Sequence, residues 1–256
     1  MIPRMFLQMM ALGALLVAAP AQADDKDTSG ELQTWQVTKD GTEVLGSETL
    51  RVVKKDSGTF AAGELKATIG KKKLHRKTFF QRDTDGKIEK YQRVEAGLKG
   101  AGVKLFLFDG GMRVAPVNAS GKPTPVELTA QRVWDLDLWH LYALWSLPSE
   151  CTTKHLGYFD PDKKASGDAT LTCTGEHKVY DAQKKPVEVN AFTVTGVPHE
   201  VTLFVDHKGK LVGAKSEGRW MLDVKLGWTA DGAGGKTGGK DGDADDDDKV
   251  DPGIGE

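Results

Sequence analysis

The stretch from residue 201 to residue 212 reads VTLFVDHKGKLV, and it decides the predicted fold. Val201, Leu203 and Val205 alternate with other side chains, so in an extended strand they share one face. Gly209 then falls where a tight turn needs a residue that tolerates a positive φ. The chain becomes apolar again directly after this glycine. The stretch therefore predicts a β-hairpin that buries one face.

The same period of two recurs along most of the chain, with Asp-Gly pairs such as Asp40-Gly41 at positions suited to hairpin turns. The predicted strands lie near residues 31–38, 43–54, 59–69, 73–82, 87–95, 103–108, 112–117, 155–159, 169–180, 187–195, 200–206, 211–217 and 219–228. Many short strands joined by glycine turns indicate a mainly β protein. We expect a curved antiparallel sheet, as a half-barrel or barrel, whose strands keep one face in water.

Residues 127–147 do not follow this period. Four large apolar side chains recur there at helical spacing: Trp134, Leu138, Leu141 and Trp145. Other apolar residues occupy the adjoining faces, and a helix that is apolar nearly all round is a buried helix. We therefore expect the sheet to pack on one Trp-rich helix.

This segment also supplies the candidate ligand-binding residues, which are Trp134, Trp139, His140, Tyr142 and Trp145. If the sheet closes on the segment, these side chains form the core, and His140 is a buried histidine with a hydrogen-bond partner. If the sheet stands open, they line an apolar groove. We favour the closed arrangement because a buried helix is the commoner use of such a stripe.

The N-terminus has the three parts of a secretory signal in residues 1–23. Arg4 supplies the positive end, an apolar run follows, and Ala21-Gln22-Ala23 forms the small-x-small cleavage pattern. We therefore expect a periplasmic or secreted protein. No later apolar run approaches about 18 residues, so no transmembrane span is expected after the signal.

The C-terminus differs in composition from the body of the chain. Residues 231–256 hold 8 Gly, 9 Asp or Glu and 3 Lys, which predicts a disordered acidic tail. Residues 24–230 are then expected to form a single β-rich domain. The formal net charge of the whole chain is −2, and this balance argues against a nucleic-acid partner.

The chain has two cysteines, Cys151 and Cys173, and both lie in the body. An even pair of thiols in an exported protein tends to be bridged, so we expect a disulfide. No C-x-x-C spacing indicates a metal or redox role for the pair.

The sequence contains no convincing catalytic or metal-binding motif. Ser216 stands in a run close to the G-x-S-x-G elbow, but it falls between two strand patterns instead of before a helix. The six histidines form no pair at ligand spacing, and the acidic run at 241–248 lacks the glycine and glutamate of a calcium loop. We therefore expect a protein that is not an enzyme and has no cofactor or metal.

The export signal, the β-rich body and the hairpin at 201–212 together resemble bacterial periplasmic β-rich domains of unknown function. The pattern is also similar to the half-barrel of periplasmic lipoprotein carriers, which wraps an apolar helix or an acyl chain. We expect an exported, non-catalytic envelope protein whose curved sheet either binds an apolar or lipid-like ligand or simply encloses its own helix. An envelope protein is the other candidate partner. The alternatives are a structural or interaction protein that uses the sheet face and acidic tail, and, less favoured, an exported hydrolase.

The signal assignment predicts the mass of the mature protein. Natively exported protein should begin at Asp24, because signal peptidase cuts after the small residue Ala23. Intact-mass spectrometry of the exported material measures this start directly. A mass that includes Met1 would contradict the assignment.

Overall fold

The structure is a computed structural model that describes residues 30–98, 101–108, 111–117, 124–126, 130–181, 183 and 185–226. The predicted signal peptide (residues 1–23) and acidic tail (residues 231–256) lie outside the described residues. The strands are β1 (Glu31–Lys39), β2 (Glu43–Lys55), β3 (Gly58–Ile69), β4 (Lys72–Arg82), β5 (Ile88–Glu95), β6 (Gly102–Phe108), β7 (Gly111–Pro116), β8 (Thr124–Val126), β9 (Lys154–Asp160), β10 (Ala165–Tyr180), β11 (Pro186–Thr195), β12 (Val201–Val205), β13 (Leu211–Ser216) and β14 (Arg219–Asp223).

The mainly β prediction is confirmed, and each predicted strand is present with bounds that shift by a few residues. The Asp40-Gly41 turn has the expected geometry, with φ angles of 50° and 74°. The strand predicted at 219–228 ends instead at Asp223. A turn follows there, because the carboxylate of Asp223 accepts the backbone N–H of Lys225 at 3.0 Å. The short strand β8 was not predicted.

All described strands belong to one antiparallel sheet in the order β8-β7-β6-β5-β4-β3-β2-β1-β14-β13-β12-β11-β10-β9. The sheet therefore consists of two meanders, β1–β8 and β9–β14. They join where β1 pairs with β14, with Trp35 opposite Asp223 and Val37 opposite Met221. The two edge strands, β8 and β9, are neighbours in the sequence, so the segment between them must pass from one edge of the sheet to the other.

One face of the sheet curves around a single apolar core. Thirteen strands each contribute a buried side chain to the same cluster, for example Trp35, Leu50, Leu65, Phe80, Tyr91, Leu105, Val114, Leu156, Leu171, Phe192, Leu203, Ala214 and Met221. A flat sheet could not bring side chains of β7 and β9 into one cluster, because strands lie about 4.8 Å apart. The curved antiparallel sheet is confirmed as an open sheet, since β8 and β9 are its two edges among the described residues.

Side-chain contacts join the first meander to the turn that follows the edge strand β9. Arg93 of β5 binds both carboxylate oxygens of Asp162, in the β9–β10 turn, at 2.8 and 2.9 Å. Lys164 Nζ lies 3.1 Å from the hydroxyl of Thr124 in β8. The edge of β9 is also covered, because Phe159 bonds to the backbone on both sides of Val133. Such covering protects an edge strand from pairing with another chain.

The predicted Trp-rich helix at 127–147 is wrong. The described part of this segment contains only a 3₁₀ helix, Trp139–Leu144, and residues 127–129 lie outside the described residues. Backbone groups before the 3₁₀ helix bond to β9 instead, with Trp134 N–H donating to Phe159 O at 3.0 Å. Apolar side chains recur because sheet surrounds the segment on several sides, and burial on all sides gives an apolar pattern in any backbone conformation.

The second meander is also apolar on its outer face, contrary to the expectation of one wet face. A separate buried cluster lies there, formed by Val179, Val189, Ala191, Phe204, Val212 and Leu222. The ring of Trp220 stacks on Phe204 with centroids 6.2 Å apart. In β14, Met221 therefore points into the main core and Leu222 into the outer cluster.

The predicted disulfide between Cys151 and Cys173 is confirmed, with the two Cα atoms 5.2 Å apart. It joins the end of the segment between the edges to the middle of β10. The bridge closes a loop that contains β9, and a loop of this size contributes about 3 kcal/mol by restricting the unfolded chain.

The packing of Trp145 predicts a large loss of stability on truncation. Its side chain is buried, its indole N–H donates to Val133 O at 3.0 Å, and its ring stacks on Tyr158. We expect Trp145→Ala to lower the free energy of unfolding by about 3–5 kcal/mol through lost transfer energy and a cavity. Denaturant melts measure this change.

The control is Leu136→Ala in the same segment, because Leu136 is 41% exposed. Its effect should stay within about 1 kcal/mol. A Trp145→Ala protein as stable as this control would contradict the assignment of Trp145 to the core.

Candidate ligand-binding site

The connecting segment, residues 130–153, is held inside the sheet by three polar anchors. In the first anchor, a carboxylate oxygen of Glu48 in β2 accepts the backbone N–H of His140 at 2.7 Å and lies 2.9 Å from its Nδ1. The other ring nitrogen lies 2.9 Å from the hydroxyl of Thr78 in β4. All three residues are buried. Gly63 makes room for the ring, since a Cβ there would lie 2.3 Å from His140 Nε2.

This hydroxyl–imidazole–carboxylate chain has the residue types of a nucleophile, a base and an orienting acid. A nucleophile must nevertheless contact substrate, and Thr78 is 6% exposed and is absent from the linings of the clefts that the structure describes. The hydrogen-bonded chain satisfies these buried polar groups and ties the connecting segment to β2 and β4. The structure thus places the predicted binding residue His140 in the core, away from any described cleft.

The second anchor centres on the buried carboxylate of Asp135. It accepts hydrogen bonds from the hydroxyl of Tyr91 and from Arg93, both on β5. Burial raises the pKa of Asp135 to about 6, although Arg93 acts in the opposite direction. The other partner of Arg93 is the more exposed Asp162, and this contact lowers the pKa of that carboxyl group.

The third anchor is Asp137, whose backbone has a positive φ of 66°. Its carboxylate accepts hydrogen bonds from Arg219 at 2.9 Å and from Arg76 at 3.4 Å. The left-handed backbone conformation is uncommon for residues other than glycine, although Asp adopts it more readily than most. Arg219 also lies over the ring of Trp139, 3.8 Å from its centroid. The first meander (Arg76) and the second (Arg219) therefore meet at Asp137.

Two clefts flank the connecting segment, one at each end of the strands. The Trp134 cleft has a volume of about 170 Å³, and its wall includes Ile69, Trp134, Trp139, Tyr142, Val201 and Arg219. Three of the five predicted binding residues therefore lie together there. The other two, His140 and Trp145, are fully buried and outside this lining.

The Val52 cleft is larger, about 590 Å³, and lies at the other end of β12. Its apolar surface comes from Leu50, Val52, Ala143 and Leu211, and its charged rim from Glu31, Asp206, Lys208 and Lys210. Lys210 Nζ is 2.6 Å from the carboxylate of Glu31, and this hydrogen bond lowers the pKa of Glu31. None of the predicted binding residues lines this cleft.

The turn from Asp206 to Lys210 presents two lysines at the mouth of the Val52 cleft. One carboxylate oxygen of Asp206 accepts the backbone N–H groups of Lys208 and Lys210, both at 2.9 Å. Gly209 occupies the position with a positive φ of 77°, as the sequence predicted for this turn. The turn is therefore held by its own hydrogen bonds, which place two cationic side chains beside an apolar surface.

Within the described residues, no group of His, Cys, Asp and Glu side chains is arranged to hold a metal ion. In the same part of the chain, no helix has the length and apolar character needed to cross a membrane.

Comparison with known proteins supports the fold and no specific activity. No family model matches the chain, and no curated protein matches it. A solved beta-barrel-like protein of the domain of unknown function DUF1849, from Brucella abortus, is similar at a TM-score of 0.52 and 14% identity, over 77% of this chain and 96% of that one. This neighbour supports a β-rich, barrel-like fold for the chain.

Two further solved structures have lower scores. One is a DUF1089 family protein from Pseudomonas aeruginosa, with a TM-score of 0.37 and 11% identity over 67% of this chain and 89% of that one. The other has a YmcC-like fold and comes from Bacteroides fragilis, with a TM-score of 0.25 and 8% identity over 77% and 94%. At these scores they carry no argument about this chain. The resemblance to lipoprotein carriers stays a prediction.

The second anchor predicts a pH dependence of stability with opposite signs for its two carboxyl groups. Asp135 keeps its proton in the folded protein up to about pH 6, whereas the unfolded chain loses it near 3.8. Between these values the folded state binds more protons, so the contribution of Asp135 to stability falls as the pH rises, by about 3 kcal/mol at most. Chemical denaturation between pH 4 and about 6.5 should show this decline in the wild type and lose it in Asp135→Asn.

Asp162→Asn is the matched control. The pKa of Asp162 is lowered below 3.8, so its stabilising contribution is present above that value and is lost as the pH falls further. This variant should therefore keep the decline between pH 4 and 6. Equal pH profiles for the two variants would contradict the raised pKa of Asp135.

Proposed function

We propose that this protein is an exported, non-catalytic protein of the cell envelope that binds a lipid-like ligand with an anionic head group in the Val52 cleft. The observation that carries the proposal is the combination of volume and lining. A cleft of about 590 Å³ has the size of ligand pockets, which range from about 300 to 1,000 Å³. Its apolar wall next to two lysines matches an acyl chain joined to a carboxylate or phosphate.

The wall of the cleft supports an apolar occupant. Leu50 and Leu211 are buried beneath it, while Val52 and Ala143 are half-buried and line it. Covering such surface with an acyl chain removes apolar area from water, at about 25 cal/mol per Å². The connecting segment leaves this end of the sheet only partly filled.

The rim of the cleft supports an anionic head group. Lys208 and Lys210 stand at the mouth on a turn that Asp206 holds in place. An ammonium group near the mouth attracts carboxylate or phosphate oxygens. Glu31 pairs with Lys210, so Lys208 is the side chain that we assign to the head group.

Two features support export and a non-catalytic role. The disulfide Cys151–Cys173 is stable in an oxidising compartment, which agrees with the signal pattern of residues 1–23. The hydroxyl, imidazole and carboxylate of Thr78, His140 and Glu48 are buried as an anchor, so they are not free for chemistry.

Displacement of a fluorescent fatty acid tests this proposal. Mature protein should bind dansyl-undecanoic acid, and palmitate should displace it better than palmitate methyl ester, which lacks the charge. Val52→Asp should raise the dissociation constant at least 10-fold, because it places a carboxylate against an acyl chain. Lys208→Glu should raise it about 3- to 10-fold by repelling the head group.

Each variant has a matched control outside the cleft. Val44→Asp repeats the valine-to-aspartate change on the same strand, and Lys72→Glu repeats the lysine-to-glutamate change. Val44→Asp alters an exposed valine of β2 outside the cleft, and Lys72→Glu alters an exposed lysine at the start of β4. Both should leave the dissociation constant unchanged. Failure of the wild type to bind the probe would overturn the proposal and favour a structural or interaction protein.

A further inference from the structure

The charged groups in the wall of the Trp134 cleft are paired with opposite charges. Asp137 binds Arg76 and Arg219, and Asp135 binds Arg93. At the rim, His199 Nδ1 lies 3.5 Å from the carboxylate of Glu217. A charged ligand would have to compete with these contacts, so the described lining favours a neutral occupant.

One buried polar group in this cleft has no hydrogen-bond partner among the described residues. Tyr142 is 3% exposed, and its hydroxyl belongs to the small set of buried polar atoms without a partner. Burial raises the pKa of Tyr142, so the hydroxyl keeps its proton and can both donate and accept. The nearby indole of Trp134 lowers the pKa of Tyr142 and so offsets part of the effect of burial. It does not have the geometry of a hydrogen bond to the Tyr142 hydroxyl.

An unsatisfied buried hydroxyl costs free energy, and a ligand that completes its hydrogen bonds recovers it. Tyr142 lines the cleft from the 3₁₀ helix, so a ligand inside the cleft lies beside this residue. The occupant therefore needs at least one hydroxyl or carbonyl group.

The remaining wall is apolar and aromatic. Ile69 and Val201 contribute aliphatic surface, and Trp134 contributes a half-buried ring. Trp139 is covered by Arg219, which leaves Trp134 as the accessible aromatic surface. A sugar ring combines an apolar C–H face with hydroxyl groups around its edge, which matches an aromatic ring next to a polar group.

The small volume favours a small occupant. At about 170 Å³ the Trp134 cleft is smaller than the Val52 cleft, about 590 Å³, and lies below the usual range of about 300 to 1,000 Å³ for ligand pockets, which suits one sugar ring. We propose that the Trp134 cleft binds one neutral saccharide unit, with its C–H face on Trp134 and a ring hydroxyl bonded to Tyr142. This site is at the opposite end of β12 from the Val52 cleft, so it is independent of the proposed function.

Saccharide titrations of the mature protein test this inference. The probes are glucose, galactose and N-acetylglucosamine, with glucosamine and glucuronate as charged analogues. Tryptophan fluorescence reports binding, because Trp134, Trp139 and Trp145 lie in or next to the cleft. At least one neutral sugar should bind, and its charged analogues should bind at least 10-fold more weakly.

Tyr142→Phe removes only the hydroxyl group. The dissociation constant should rise about 5- to 10-fold, which corresponds to the free energy of one hydrogen bond. The melting temperature should stay equal or rise, because the substitution removes a buried polar atom that has no partner. Trp134→Ala should abolish binding of the same sugar.

Tyr158→Phe is the matched control. Tyr158 lies outside the cleft lining, and its hydroxyl donates to Gly196 O at 3.1 Å. This variant should lower the melting temperature and keep the affinity for the sugar. The inference is overturned if none of the neutral sugars binds, if charged sugars bind more tightly, or if Tyr142→Phe binds as well as the wild type.

Discussion

The apolar face of the sheet is buried because the connecting segment fills the space inside it, and this segment stays there through hydrogen bonds to polar side chains of the strands. Glu48 is the central example. Its carboxylate is buried and binds both the backbone N–H and the ring of His140. A buried carboxylate without partners would cost several kcal/mol, so sheet and segment stabilise each other. Loss of either partner would leave the other charged or polar group unsatisfied in the core.

The same anchors determine where ligands can enter. Asp135 and Asp137 hold the start of the segment against β5, β4 and β14, while the 3₁₀ helix fills the centre with Leu141, Tyr142 and Trp145. The middle of the interior is therefore filled, and space for a ligand remains only near the two ends of the strands, among the described residues. The large end cleft has an apolar wall with lysines, and the small one has aromatic rings and paired charges. This difference in lining is the reason for assigning different ligand chemistry to the two ends.

Sequence reasoning located the strands well and the site residues only in part. Strand positions follow from alternation and turn residues, which are local properties. The Trp-rich segment was correctly predicted to be buried, but its backbone conformation was predicted wrongly. Burial on several sides produces an apolar pattern that resembles that of a buried helix. Glu48 and Thr78 were missed. Each shares a strand face with core residues, Leu50 and Phe80 respectively, so a polar residue at an inward position was the signal that could have identified them.

The sequence by itself determined the antiparallel strands, the hairpin turns and the pair of cysteines available for a bridge, because these depend on side-chain period, on backbone freedom at glycine and on composition. Only the tertiary structure decided that β1 pairs with β14, which joins the two meanders into one sheet with β8 and β9 as its edges. It also decided that Trp134 and Tyr142 line a cleft while His140 and Trp145 are core. These outcomes depend on contacts between residues far apart in the chain, such as Glu48 with His140 and Asp137 with Arg219, and no local pattern encodes such contacts.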